Sequence, residues 1–299
     1  MLKSPIDVAK KVSDWMTSYA EDAGRDAWVI GVSGGIDSAV SFRLAQMTGM
    51  DVFPVFLPKN QQQRLDLMPL ISDLLDTTDL EPAVHMISDV VDLDEIPMFS
   101  PAESYRLAMG NYHARQRMAL LYYYGEMHRA LVLGTTNASE ELIGYYTKWG
   151  DGAVDIEPLA GLLKSEVYQL GVALDVPKCI IDAVPSANLW PGQTDEDELG
   201  FTYDDIDAIL SGGPGPDQET WSAIMGMRSR SEHKRTLIAH YVPEEMDVEA
   251  TFQFGDRCGC GKRMYGLVRD GIRLISSAEA QLQVVRCSCG HCIRLRELS

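Results

Sequence analysis

The segment Ala27-Trp-Val-Ile-Gly31-Val32-Ser33-Gly34-Gly35-Ile36-Asp37-Ser38 constrains the fold more than any other part of the 299-residue chain. A short apolar run meets paired glycines, and helical spacing then resumes at Ala39, Val40, Leu44 and Ala45. That order spells strand, tight turn, helix. The same alternation continues. Residues 52–57 read as a second strand, 65–75 as a helix and 83–87 as a third strand; a long helix over 103–128 leads into a strand at 130–133. Strands alternating with helices predict an α/β chain built on a doubly wound parallel sheet. Ligands of such sheets sit at the carboxyl ends of the strands, where residues 33–38 and 135–140 fall. Further helices are predicted at 4–24, 164–174, 203–210 and 218–227.

The turn itself has the chemistry of a phosphate loop. Adjacent glycines let backbone N–H groups face an anion, and the following helix adds partial positive charge at its N-terminus. Ser33 and Ser38 can donate hydroxyl hydrogen bonds to phosphate oxygens. Asp37 would repel phosphate unless a cation intervened, which points to Mg²⁺. No lysine follows the glycines, so the loop is not of the Gly-Lys-Ser/Thr kind. Handling of the pyrophosphate end of ATP as a leaving group is expected instead. A tight turn of structural use only is the alternative, and the Asp within the turn argues against it.

Charge divides the chain. The net charge is −18, yet residues 257–299 carry 8 Lys/Arg against 3 Asp/Glu, leaving −23 for the residues before them. An acidic body disfavours phosphate backbones, so nucleic acid is not an expected partner of the body and stays open for the basic tail. Five of the six cysteines also fall in the tail: Cys258, Cys260, Cys287, Cys289 and Cys292. Two domains are expected, a body over 1–245 and a cysteine-rich module over 250–299, joined through the acidic stretch 242–249. No apolar run is long enough to span a membrane and the first residues do not read as a secretion signal, so a cytoplasmic protein is expected.

The hexapeptide Ser33–Ser38 resembles the loop of the ATP-pyrophosphatase superfamily, and four further segments resemble the NAD synthetases within it. The resemblance covers nearly all of residues 1–240. It implies the adenine-nucleotide alpha-hydrolase-like fold, ATP contacts from Gly31 through Ser38, and a homodimer with substrate sites at its interface. In Gly110-Asn-Tyr-His-Ala-Arg115-Gln-Arg117 it places Arg115 on deamido-NAD; two residues away, Arg117 cannot share that helix face and is expected to form a structural pair. In Gly134-Thr135-Thr-Asn-Ala-Ser-Glu140-Glu141 it places Thr135 on ATP and Glu140 on Mg²⁺ beside Asp37, in preference to Glu141. Lys148 and Asp155 of Thr147-Lys148-Trp-Gly-Asp-Gly-Ala-Val-Asp155 are then placed on the dinucleotide. Lys164 of Pro158–Val167 is placed on the ATP phosphates, and Ser186 of Pro185-Ser186-Ala-Asn188 near ATP and metal. Asn188 stands where Asp is common. Glu198 matches a position reaching the partner's substrate, although a plain acidic helix start reads equally well. His233 and Lys234 of Ser231–Arg235 match the closing motif and are placed on the substrate.

The chemistry so implied is adenylation of the deamido-NAD carboxylate followed by attack of ammonia. Glutamine-using relatives carry an amidotransferase domain for which this chain leaves no room, so free ammonia is expected. The tail departs from that pattern. Cys258-Gly-Cys260 and Cys287-Ser-Cys289-Gly-His291-Cys292 are separated by 26 residues patterned like a β-ribbon. Four thiolates suit a tetrahedral structural Zn²⁺, with Cys258, Cys260, Cys287 and either Cys289 or Cys292 as ligands. Disulfide exchange through Cys289-Gly-His-Cys292 is the lesser alternative. Two rival functions remain at this point: a tRNA-thiolating ATP-pyrophosphatase carrying a zinc ribbon, and a non-catalytic nucleotide sensor.

Overall fold

The computed structural model describes residues 2–76, 78–87, 102–186, 194–236 and 238, together with three short strands near the C-terminus. The chain divides into two compact units, Met1–Arg230 and Ser231–Ser299.

The first unit is built on four parallel strands, β1 (Ala27–Gly31), β2 (Asp51–Phe56), β3 (Ala83–Val84) and β4 (Leu131–Leu133), in the order β3-β2-β1-β4. Both faces of β1 are buried. Trp28 and Ile30 pack into one core with residues of α1 (Pro5–Asp22), α2 (Ile36–Met47), α3 (Gln61–Leu75) and α6 (Lys164–Ala173). Ala27 and Val29 pack into another, where Leu120, Leu121 and Tyr124 of α4 (Ala102–His128) cover the opposite face. This is the doubly wound α/β arrangement that the alternating sequence predicts. The continuous apolar run of β1 follows from it, since a strand buried on both sides has no polar face.

The chain winds from β1 outward through β2 to β3, then crosses back to place β4 on the other side of β1. The carboxyl ends of β1 and β4 therefore flank the topological switch point, the crevice where such sheets bind ligands. Both sequence-predicted loops open there. A third apolar cluster lies beyond it. Leu142 and Ile143 of α5 (Ala138–Ile143) meet Ile206 of α9 (Tyr203–Ser211) and Ile224 of α10 (Gln218–Arg230).

Two elements of this unit were not legible as helices in the sequence, α5 and α7 (Lys178–Ile181), while α8 (Asp195–Leu199) is the acidic helix start read at Glu198. Each has six residues or fewer, too short for an apolar period to show. The third strand is also shorter than predicted, ending at Val84 rather than residue 87. The helix predicted at 4–24 is α1, which starts at Pro5; the Ser4 side chain before it makes no capping hydrogen bond.

In the second unit, α11 (Glu232–Arg235) is followed by a three-stranded antiparallel sheet of β5 (Met264–Leu267), β6 (Val284–Cys287) and β7 (Cys292–Arg294). Its register pairs Met264 with Cys287 and Arg286 with Cys292. Cys258, Cys260, Cys289, Asn188 and the acidic stretch 242–249 lie outside the described residues.

The core of the first unit gives a direct test. Phe42 is fully buried, so Phe42→Ala should lower the unfolding free energy by about 3–5 kcal/mol, read from urea denaturation of the purified chain.

Candidate active site

The glycine turn closes on itself. Gly34 takes φ +83°, a left-handed conformation that glycine adopts without the strain a side chain would bring. The Ser33 N–H donates to Ser38 Oγ at 3.2 Å, the two hydroxyls meet at 3.0 Å, and Ser38 Oγ donates to the Gly35 carbonyl at 2.9 Å. Val32, following β1, donates its N–H to the Val55 carbonyl of β2 at 2.9 Å. Gly31 through Ser38 thus form one compact loop that enters α2 at Ile36, with Asp37 in the first helical turn.

Opposite it, the chain leaving β4 enters α5 through a capping box. Asn137 Oδ1 accepts from the N–H groups of Ser139 and Glu140, both at 3.0 Å, while Glu140 Oε2 accepts from the Asn137 N–H at 3.3 Å. The Asn137 amide also donates to Asp37 Oδ1 at 2.8 Å, tying the two loops together. Between them sits Lys164, buried, at the first position of α6. Its ammonium lies 2.6 Å from Asp37 Oδ2 and 3.0 Å from Glu140 Oε1, with the Tyr203 ring centroid 4.8 Å away. The backbone N–H of Lys164 donates to Ser139 Oγ at 2.9 Å. Ser139 Oγ donates in turn to Asp207, whose other oxygen accepts from the Ser165 N–H at 2.9 Å.

Electrostatics make this a cation-demanding cluster. Burial and then the Asp37 charge push the Glu140 carboxyl up to about 7, against the pull of Lys164. Burial works to discharge Lys164, but Asp37 and Glu140 outweigh it and hold the ammonium more firmly protonated than usual. Two buried carboxylates converging on one ammonium offer the hard oxygen donors that Mg²⁺ prefers. The Lys164 charge stands in for that of such an ion, so Asp37 and Glu140 fit the metal as a pair.

The cluster extends through residues that the motifs did not single out as ligands. Tyr203 OH donates to Asp195 Oδ2 at 3.0 Å and reaches Glu140 Oε1 at 3.4 Å. Tyr145 OH reaches Glu198 Oε2 at 3.0 Å and Asp195 Oδ1 at 3.2 Å. Glu198 is therefore joined to the cluster through Asp195 in the first turn of α8. Burial and neighbouring carboxylates raise both phenols well above their usual range, leaving them as hydrogen donors.

Glu157 was also missed. Its Oε2 accepts from the Thr136 N–H at 3.0 Å, and a side chain at Gly134 would overlap its carboxyl group. It thus props the loop that presents Thr135. Burial holds the Glu157 carboxyl up at about 8, so it keeps its proton at neutral pH. Of these residues only Asn137 carried a sequence signal: Asn-x-x-Glu is the pattern of a helix cap.

The residues that the resemblance places on the dinucleotide are arranged less tightly. Arg115 donates to the Lys148 carbonyl at 3.2 Å, and the Lys148 ammonium lies 5.4 Å from the Trp149 ring centroid. Asp155 accepts from the Val132 N–H at 2.8 Å and from Tyr122 OH at 3.2 Å, which anchors it beside β4. Ser186 follows Pro185, whose carbonyl accepts from the Asp195 N–H at 3.0 Å. His233 and Lys234 lie on α11 of the second unit. Arg117 is the one clear departure. No carboxylate lies within ion-pair distance of its guanidinium among the described residues; its Nε donates to the Leu57 carbonyl at 2.9 Å.

Comparison with known proteins agrees with this geometry. The family model described as NAD synthase matches residues 8–238. An NH(3)-dependent NAD(+) synthetase from Mannheimia succiniciproducens is 42% identical over 235 residues, covering 75% of this chain and 93% of the relative. The corresponding protein of Thermoplasma acidophilum is 38% identical over 236 residues, covering 76% and 94%. Among solved structures, one described as NMN synthetase from Francisella tularensis is 39% identical, with a TM-score of 0.66, covering 81% of this chain and 99% of its own.

Glu157 makes the site's stability pH-dependent. Its folded proton affinity exceeds the usual carboxylate value of 4.5 and reaches about 8, so the folded chain binds more protons than the unfolded one across that window. Stability therefore falls as pH rises through it. Glu157→Gln should be more stable than the parent by on the order of 2 kcal/mol at pH 9 and show no gain at pH 5. Denaturant melts across pH would reveal this; a pH-independent difference would contradict it.

Proposed function

The chain belongs to the NAD synthase family, and from that premise we propose that it is an ammonia-dependent ligase that amidates the pyridine carboxylate of deamido-NAD at the expense of ATP. The observation that carries the reading is the buried Asp37–Lys164–Glu140 cluster at the switch point, set directly against the glycine turn. A carboxylate is a poor acyl donor because its leaving group would be oxide. In the first step a carboxylate oxygen attacks the α-phosphorus of ATP, the bond to the bridging oxygen breaks, and pyrophosphate leaves. In the second, ammonia attacks the acyl carbon, the bond to AMP breaks, and the nitrogen loses a proton to give the amide.

Asp37 and Glu140 would hold Mg²⁺, which when bound neutralises charge on the phosphate oxygens. The loop amides of Ser33–Ser38 and the Lys164 ammonium add fixed positive charge where the pyrophosphate develops its own. Thr135 and Ser186 complete the ATP contacts in this reading, and Arg115, Lys148, Asp155, Glu198, His233 and Lys234 hold the dinucleotide. A homodimer, a cytoplasmic location and a catalytic part over 1–245 with a module over 250–299 belong to the same proposal. Among the described residues no helix is long and apolar enough to cross a membrane. The family match argues against the tRNA-thiolating alternative.

One observation favours a second reading of the substrate. The relative described as NMN synthetase matches at 39% identity over nearly its whole length. A mononucleotide carboxylate is therefore the competing acceptor, and the same two steps would apply to it.

We also propose a structural Zn²⁺ in the tail. The β5–β6 register sets Met264 against Cys287, so the chain enters β5 at the end of the sheet where β6 leaves it. Cys260 lies four residues before Met264, and Cys292 opens β7 at that same end, paired to Arg286. Thiolates from Cys258, Cys260, Cys287 and either Cys289 or Cys292 suit the metal.

Three assays test these readings. The purified chain with ATP, Mg²⁺ and ammonium should convert deamido-NAD to NAD with release of AMP, and the ratio of kcat/KM for the dinucleotide and mononucleotide carboxylates decides between the two substrates. Asp37→Ala and Glu140→Ala should each lower kcat by at least about 10³-fold while retaining cooperative unfolding. Elemental analysis should find one zinc per chain, lost in Cys287→Ser; a zinc-free parent chain would refute the tail site.

A further inference from the structure

Arg117 is the charge that the described arrangement leaves unused. It stands on α4, whose Leu120 and Leu121 help cover the face of the sheet containing Val55 and Leu57. From there its Nε donates to the carbonyl of Leu57, the residue immediately after β2, at 2.9 Å. That contact fixes the guanidinium at the carboxyl end of the sheet. Leu57 lies two residues beyond Val55, whose carbonyl accepts the Val32 N–H at the mouth of the glycine turn. The two terminal nitrogens of Arg117 make no hydrogen bond to any described residue, whereas a structural arginine would spend its fork on a carboxylate or on carbonyls.

Burial drives the Arg117 proton affinity down to about 10, with Asp151 only partly opposing it. Lys59 follows Leu57 by two residues, and its proton affinity is lowered by burial and then by Arg117, a like charge. Two half-buried cations held near each other repel, and an anion between them turns that repulsion into binding. Guanidinium presents two parallel donors, matched to the two oxygens of a phosphate or carboxylate.

We propose that Arg117 is an anion-binding residue of the active site, whose terminal nitrogens take the oxyanion of a bound reactant: a phosphate of ATP or the carboxylate end of the pyridine substrate. The assignment rests on the ligase reading above and adds a residue to it. Lys164, between Asp37 and Glu140, supplies an ammonium on one side of the glycine turn, and Arg117 supplies a guanidinium at the end of β2.

The test uses the full chain and three substitutions. Arg117→Met keeps length and packing, Arg117→Lys keeps charge without the fork, and Arg117→Ala opens space for added guanidinium ion. Loss of a hydrogen bond to a charged group should lower kcat/KM by about 10- to 100-fold in the Met variant, with partial recovery in the Lys variant and with guanidinium added to the Ala variant. A KM raised for ATP alone marks the anion as phosphate, and one raised for the pyridine carboxylate alone marks it as the acceptor. Unchanged kcat/KM for both substrates in folded Arg117→Met, whether or not its Tm falls, would overturn the assignment. If the parent chain turns over neither carboxylate, the ligase reading fails separately. ATP affinity of the parent and Arg117→Met chains by calorimetry, with pyridine carboxylate affinity measured alongside, then decides the role of Arg117: a loss of either affinity sustains it and two unchanged affinities refute it.

Discussion

The Lys164 ammonium, set between Asp37 and Glu140, is the interaction on which the rest of the site depends. Three buried charges are costly to desolvate, and such a group survives only when each member is paired and hydrogen-bonded. Here the partners come from three separate places in the chain: the first turn of α2, the first turn of α5 and the first residue of α6. Satisfying the ammonium therefore fixes the relative positions of three helix starts. Each points its N-terminus toward the same crevice, and the partial positive charge of helix N-termini favours anions there. The cluster that demands a cation and the field that attracts phosphate are products of one arrangement.

That arrangement is propagated outward by hydrogen bonds as well as by apolar packing. Ser139 Oγ accepts from the Lys164 backbone N–H and donates a hydrogen bond to Asp207, which also accepts from the Ser165 N–H. The starts of α5 and α6 are thereby locked to α9. On the other side Tyr203, Asp195 and Tyr145 lead from Glu140 to Glu198. Buried polar chains of this kind are stable only when complete, because an unmet partner in low dielectric costs more than the bond contributes. A change at Asp195 or Asp207 is thus felt at Glu140 and Lys164 although neither residue belongs to any phosphate-loop motif.

What could be read in the sequence follows the range of the forces involved. The glycine turn is local, and so was legible: Gly34 with its positive φ, Asp37 and the two serines lie within six residues. The parallel sheet was legible because a strand buried on both faces leaves an unbroken apolar run, as in 27–32. The cap Asn137 followed a recognisable pattern, yet its amide contact with Asp37 spans 100 positions and no spacing rule reaches that far. Glu157 gave no signal at all. Its meaning comes from contact with Thr136 and Gly134, 21 and 23 residues away, and a glutamate written in a sequence looks ionised and exposed. Helix geometry separates Arg117 from Arg115 but does not say what it meets, because its contact with the Leu57 carbonyl spans 60 positions.

The same reasoning explains why an acidic chain can still hold anionic substrates. A net charge of −18 sets up a repulsive field at long range, but salt screens exposed charges beyond about 8–10 Å. Inside the crevice the balance is set by neighbours alone. Asp37 and Glu140 are directed at a cation, Glu157 holds its proton at neutral pH, and the helix starts and Lys164 contribute positive character. A group small enough to enter the crevice therefore meets mainly the local field, whatever the sign of the charge spread over the rest of the surface.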